Sequence, residues 1–291
     1  MRTKKYISMV VAGFLSCTAL LAQQKQEVSV YGAGGLSTLN YDAKTGERKN
    51  GAGGDFGVGY TYSLTEKFAL NTGVGIAFYN AKFSAKEMTD ILYGLTDPHS
   101  EEVYDFHSSI TGYEEKQNVT YLNIPLMVRY YLDNANRFYV SGGVKVGIPL
   151  SGSYKTTGAT FVNKGYFVDL ENWGTSQEFM GFGTFRNKTV DEDLDLNIAC
   201  MASIEAGTKW DLNDKLVLYA GLYFDYGLND IVKGNNDKSF IIHNHNASGA
   251  EFSNNSVLAS HYTADKGQSK FTGKVVPMTF GLKMSLAFQI N

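Results

Sequence analysis

Met278-Thr279-Phe280-Gly281-Leu282-Lys283-Met284-Ser285-Leu286-Ala287-Phe288-Gln289-Ile290 alternates without a break: every even position is a large apolar residue and every odd one is small or polar. A two-residue period is that of an extended chain, so one face of this segment is wholly apolar and the other carries Lys283 among small side chains. Nine to eleven residues suffice for a tilted strand to cross the hydrocarbon of a bilayer. The segment is therefore a membrane-crossing strand in length and in pattern.

Working outward from it, the same alternation recurs, giving eight segments at approximately 27–36, 54–64, 68–79, 119–132, 138–151, 195–212, 216–229 and 275–290. In 216–226, Leu216, Leu218, Ala220, Leu222, Phe224 and Tyr226 oppose Val217, Tyr219, Gly221, Tyr223 and Asp225. The charges within the segments (Asp55, Arg129, Lys145, Glu205, Lys209, Asp211, Asp225 and Lys283) all fall on the less apolar face. A soluble ligand-binding barrel needs the reverse, an apolar interior and a wetter exterior. Connections of 65–67, 133–137 and 213–215 are tight turns, whereas 41–53, 81–118, 152–194 and 231–274 are long and polar. Short turns at one end and long loops at the other mark an outer-membrane barrel with its long loops outside the cell. The expected fold is all-β, an eight-stranded antiparallel up-and-down transmembrane barrel.

Outward aromatics gather near the strand ends. Tyr62, Phe68, Tyr130, Phe138, Trp210 and Phe288 lie toward the short turns, and Phe78, Phe224 and Tyr226 toward the loops, as in the two interfacial girdles of a spanning barrel. Pro125 falls in mid-strand, where the lost ladder hydrogen bond predicts a bulge. The stretch 85–95, in the second long loop, is expected to form a short helix.

The N-terminus reads as a secretory signal peptide. Arg2, Lys4 and Lys5 precede an apolar stretch from Tyr6 to Leu21, and cleavage is expected after Ala22, leaving 23–291 as the barrel domain. Cys17 fits a lipoprotein site poorly because the apolar stretch continues past it, and its removal leaves Cys200 as the single thiol, without a disulfide partner. The strands account for the sequence out to Ile290, so neither a peptidoglycan-binding domain nor a transporter-type plug is expected. The formal charge of −3 lacks the basic excess that tracks a phosphate backbone, which argues against a nucleic-acid partner.

Tyr121-Leu122-Asn123-Ile124-Pro125-Leu126-Met127-Val128-Arg129-Tyr130-Tyr131 resembles the hallmark strand of the PorT-like outer-membrane β-barrel family common in Bacteroidota, a barrel of the small OmpA/OmpX type. Asp225-Tyr226-Gly227-Leu228-Asn229-Asp230-Ile231 is similar to a second hallmark of that family. The resemblance implies an outer-membrane location and a scaffold without a set activity; a few relatives serve protein secretion or gliding. The last strand also resembles the signal read by the barrel-assembly machinery, with Phe288 three residues short of the end in place of a terminal aromatic.

Eight strands leave an interior only wide enough for side chains to fill. Lys145, Glu205, Asp225 and Lys283, at mid-barrel depth, together with Arg129 are expected to form an internal ion-pair network, with Tyr219 and Tyr223 adding hydroxyl hydrogen bonds; charges so placed must be paired. The loops hold more aromatics than solvated loops need, among them Tyr104, Phe106, Tyr166, Trp173 and Phe240. They suit contacts with a surface protein, a glycan or lipopolysaccharide, or else pack the loops on one another. His243 and His245 share one side of an extended segment but lack a third ligand at fixed spacing, so no metal is expected. His107-Ser108-Ser109 and His261 carry parts of a hydrolytic site without any local motif, and neither enzyme activity nor a cofactor is expected. The expected role is a structural or surface-binding barrel in contact with outer-membrane lipid, with a narrow transport barrel or secretion accessory as the alternative.

Overall fold

The computed structural model describes residues 25–234, 238–246, 249–264 and 267–290. The signal peptide at 1–22 and the His245 side chain lie outside the described part. Eight strands form the barrel: β1 (Gln26–Asn40), β2 (Ala52–Ser63), β3 (Phe68–Thr96), β4 (Val103–Tyr131), β5 (Phe138–Phe167), β6 (Ala199–Asp211), β7 (Leu216–Gly227) and β8 (Val276–Ile290). Each pairs antiparallel with its chain neighbours, β5 passing to β6 and β8 returning to β1 with Gln26 opposite Ile290, so the sheet closes without an edge at membrane level. Closure lets the backbone groups of all eight strands pair laterally, which hydrocarbon demands.

The alternation that defined the strands sorts their faces as expected. Val30, Phe56, Leu126, Ile204, Leu222 and Leu282 are exposed around the wall. Phe68, Tyr130, Phe138, Trp210 and Phe288 are exposed below them, with Phe78 and Tyr226 above. Phe68 and Tyr130 stack at 4.9 Å across β3 and β4. A continuous apolar belt of this extent has no place in water and fits a bilayer with its two aromatic interfaces.

Pro125 does not create a bulge. The register is the same on both sides of it, with Thr72 opposite Leu126 and Gly75 opposite Asn123; only the rungs between are missing. Thr72 Oγ1 donates to the Pro125 carbonyl at 2.9 Å, which restores a tie between the strands. The register shift of this region falls between Thr120 and Tyr121, where β5 carries Leu150 as an extra residue after Pro149.

The larger departure from expectation lies above the belt. Residues 85–95 are strand and not helix, because β3, β4 and β5 run on for 29, 29 and 30 residues, far past the hydrocarbon. Much of 81–118 and 152–194 is thus ordered sheet, widened by Glu47–Asn50 on β3 and by Gly183–Asp193 on β5. In this head the polarity of the faces is inverted: Lys82, Lys86, Glu114 and Lys116 point out, while Phe83, Tyr113, Phe106 and Phe161 are buried. At Gly112 (φ 66°) and Gly158 (φ 75°) the rungs between β4 and β5 are interrupted, with the same register on either side (Thr111 opposite Thr160, Glu114 opposite Thr157), and the inward parity changes from odd to even, from Tyr113 to Ile110 on β4. Left-handed backbone is open to glycine at no steric cost, which is why both positions are Gly. The fourth loop folds into the concave side, burying Phe240, Phe252, Val257, Leu258 and Phe271.

Candidate functional site: a filled lumen beneath a clasped head

The lumen is stacked in three layers. At the periplasmic end Tyr131, Tyr139, Val217, Tyr219 and Ala287 pack together. The Arg129 guanidinium lies between the rings of Tyr139 and Tyr219, 4.5 and 4.3 Å from their centroids, and Tyr219 donates to Glu27 at 2.8 Å. Such cation–π contacts strengthen when water is excluded.

Above it is the ionic layer. Lys145 reaches Asp225 at 2.8 Å, and the same carboxylate accepts from Ser203 (2.5 Å) and Thr279 (2.9 Å). Lys283 meets Glu205 at 2.7 Å, and Tyr139 donates to that carboxylate at 2.6 Å. Sequence reasoning named these four charges together with Arg129; the structure brings the four into one layer as two ion pairs and sets Arg129 in the layer below, between tyrosine rings and outside the ion pairs of the described residues. It did not single out Asp55, Tyr31 or Tyr139: Tyr31 donates to Asp55 at 3.2 Å, and Gly75 makes room, since a Cβ there would sit 2.0 Å from the Tyr31 hydroxyl. Tyr223 differs from expectation. Its ring faces the Lys145 ammonium at 5.6 Å, and its hydroxyl joins none of the carboxylates of the layer among the described residues. The void left among these residues is about 50 Å³, space for a water or two.

The third layer is apolar. Leu39, Tyr79, Ala199, Met201, Ile231, Val232, Val275 and Val276 close the extracellular mouth and continue directly into the core of the head.

Two buried carboxylates fasten the fourth loop to the sheet. Glu115 accepts from Tyr113 (2.6 Å), Gln117 (2.8 Å), Ser256 (2.7 Å) and the Val257 amide (3.1 Å). Asp90 accepts the amides of Ile91 (3.0 Å), Ile241 (2.9 Å) and Thr263 (2.7 Å). Burial pushes both carboxyls above their ordinary range, against the opposing pull of these donors.

The loop aromatics divide. Tyr104, Phe106 and Phe240 are wholly buried: Tyr104 and Phe106 pack on Phe182, and Phe240 on Tyr113 and Phe271. They hold the head together and cannot touch a ligand from the medium. Tyr166 and Trp173 remain at the surface, 5.0 Å apart. His243 packs on Phe106 at 4.3 Å with its Nε2 3.0 Å from the Met180 carbonyl, and no cluster of three metal-ligating residues occurs among the described residues. His107 turns outward while Ser108 turns inward to donate to Asn163 at 2.8 Å, so the pair does not meet. Ser239 lies 3.5 Å from His261 Nε2, but the nearby Asp90 carboxylate is taken up by backbone amides.

A closed antiparallel ring, a lipid-facing belt and long extracellular extensions define a small outer-membrane β-barrel. The chain belongs to the outer membrane protein beta-barrel domain family, which it matches over residues 21–233, and its location is the outer membrane. No curated protein matches it in sequence. Among solved structures it is similar to Neisserial surface protein A (8% identity, 91% of this chain and 97% of that one, TM-score 0.35). It is also similar to Ail, the attachment invasion locus protein of Yersinia pestis, solved with the heparin analogue sucrose octasulfate (10%, 92% and 99%, 0.31). A third is the outer membrane protease OmpT of Escherichia coli (8%, 94% and 99%, 0.31).

Proposed function

We propose that this protein is a sealed, non-enzymatic surface barrel that anchors a rigid extracellular head in outer-membrane lipid and binds a surface partner through that head. The observation that carries the reading is the packing of the lumen in layers, periplasmic tyrosines, ion pairs and apolar mouth, around a cavity of about 50 Å³ that reaches from the ionic layer to Tyr219 and Ala287. A hydrated ion needs a continuous path, and the apolar mouth layer offers none. His107 and Ser108 face opposite sides of the sheet, and the Asp90 carboxylate near the Ser239–His261 contact is taken up by backbone amides, which supports a non-catalytic role that needs no cofactor.

Two features support the finer placement in the PorT-like family. Asp225 of the second hallmark anchors Lys145, and Asn229 ties β6 by accepting from the Cys200 amide (2.6 Å) and donating to the Ile198 carbonyl (2.7 Å). Both residues thus serve the scaffold, as the resemblance implies. A secretion-accessory role is compatible with a sealed barrel, which can scaffold a neighbour without conducting; a narrow transport barrel is not. In planar bilayers the purified protein is expected to give no stable open state at moderate voltage. A steady, large conductance would overturn the sealed-barrel reading.

A further inference from the structure

The part of the head farthest from the membrane presents a surface that neither the lumen nor the clasps use. Trp173, on the short strand Asn172–Gly174, is the cross-strand partner of Tyr166 and also lies 4.9 Å from His107. Trp173 is 48% exposed, and Val103, Val168 and Leu170 beside it in the same turn region are exposed as well. On β4, Val103 stands roughly 60 Å along the strand from the lipid-facing Leu122, so the protein's own bilayer does not cover this patch. Apolar side chains clustered on a polar sheet, around an exposed tryptophan, are the usual makings of a binding hot spot.

Charge selects the occupant. Segments 97–107 and 164–178 together carry seven carboxylates, six of them exposed or half-buried and only Asp97 buried, against one lysine, Lys164, in a chain whose total formal charge is only −3. Exposed Glu101, Asp169 and Glu171 form no ion pair among the described residues. An anionic lipid, a sulfated glycan or a nucleic acid is repelled by such a rim. A second copy in the same membrane would bring like charge against like. Guanidinium groups satisfy both parts of the surface, since they pair with carboxylates and stack on Trp and Tyr faces. Resting on the surface-binding reading above, we infer that the tip docks a basic polypeptide, an arginine-rich segment whose cations meet the carboxylate rim and stack on Trp173 and Tyr166.

The test titrates the full chain, in nanodiscs of zwitterionic lipid, with a labelled octa-arginine peptide. An octa-glutamate peptide, a neutral maltooligosaccharide and phosphatidylglycerol vesicles are the competing arms. Saturable binding of octa-arginine alone is expected, weakened at least tenfold by Trp173→Ala, largely kept by Trp173→Phe, and unchanged by Lys155→Ala lower on the same wall. The shift of the folded barrel on unheated gels shows that each variant is folded. Octa-arginine binding that ignores Trp173→Ala, meaning diffuse attraction only, overturns the proposal, as does absence of binding or preference for any other arm. A conducting lumen would instead overturn the sealed-barrel reading and leave this titration as it stands.

Discussion

The barrel and the head are built from the same three long strands with opposite faces greased. Within the membrane β4 points Leu122, Leu126 and Val128 outward and Asn123 and Arg129 inward; above it, Asn118, Lys116 and Glu114 point outward and Val119 and Tyr113 inward. On β4 the inward parity runs straight through the crossing, while β5 changes parity there at its extra residue, Leu150. What changes for both is the solvent: hydrocarbon accepts apolar side chains and sends charges to the lumen, whereas water reverses the assignment. The two interiors consequently solve different problems. The lumen must neutralise charge without water, and the head must hold an apolar core under a loop whose amides find their acceptors on the sheet, at Glu115 and Asp90.

The sharpest way to break the comparison is to orphan a lumen charge. Asp225→Ala leaves Lys145 without its carboxylate and strands the Ser203 and Thr279 hydroxyls. Removing one partner of a buried pair costs about 3–5 kcal/mol. Urea unfolding in detergent should show a loss of that size. The same truncation at the exposed Lys155–Asp191 pair of the head, 2.8 Å apart, should change stability by about 0–1 kcal/mol. Equal effects at both sites would mean that the lumen is wet.

The head is expected to fail differently, by releasing its loop while the barrel stays closed. Glu115→Ala deprives four donors of their acceptor, two of them on the fourth loop, at a cost of about 1–3 kcal/mol. Limited proteolysis should then cut near 256–257 while the folded barrel survives. The carboxyl also gives the head a pH dependence. Burial raises Glu115 and Asp90, so the folded head holds their protons more tightly than the unfolded chain does. That contribution is fully present below the ordinary carboxyl range and is lost as pH rises through the raised values. Protease resistance of the head should therefore fall from mildly acidic toward neutral and alkaline pH, and Glu115→Gln should remove that residue's share of the slope. A head that tightens with rising pH would refute the sign.

These regions also differ in how far they could be read from the chain. The barrel was legible because period two persisted and Arg129, Lys145, Glu205, Asp225 and Lys283 all shared one parity, a pattern only lipid outside can explain. The head was not. Buried Glu115, Gln117, Asp90 and Asn254 look like loop residues in a sequence, because burial of a carboxylate is decided by donors that arrive from far along the chain, such as Ser256 and Val257. The aromatics left two readings open for a related reason: Phe106 and Trp173 have the same chemistry, and only the fold decides that one is inside and the other out.

The parity change at Gly112 and Gly158 hid the rest, since alternation that flips midway is easily taken for its end. The smallest predicted effect tests that device directly. Both glycines hold positive φ, and the space around Gly112 is open, the nearest contact for a Cβ being the Gly158 carbonyl at 3.8 Å. Gly112→Ala therefore meets only the backbone penalty, about 1 kcal/mol for a non-glycine residue in the left-handed region. Thermal melting of the head should fall slightly with barrel stability unchanged. A larger loss, or one that spreads to the barrel, would show that the change of parity is coupled to the closure of the ring below it.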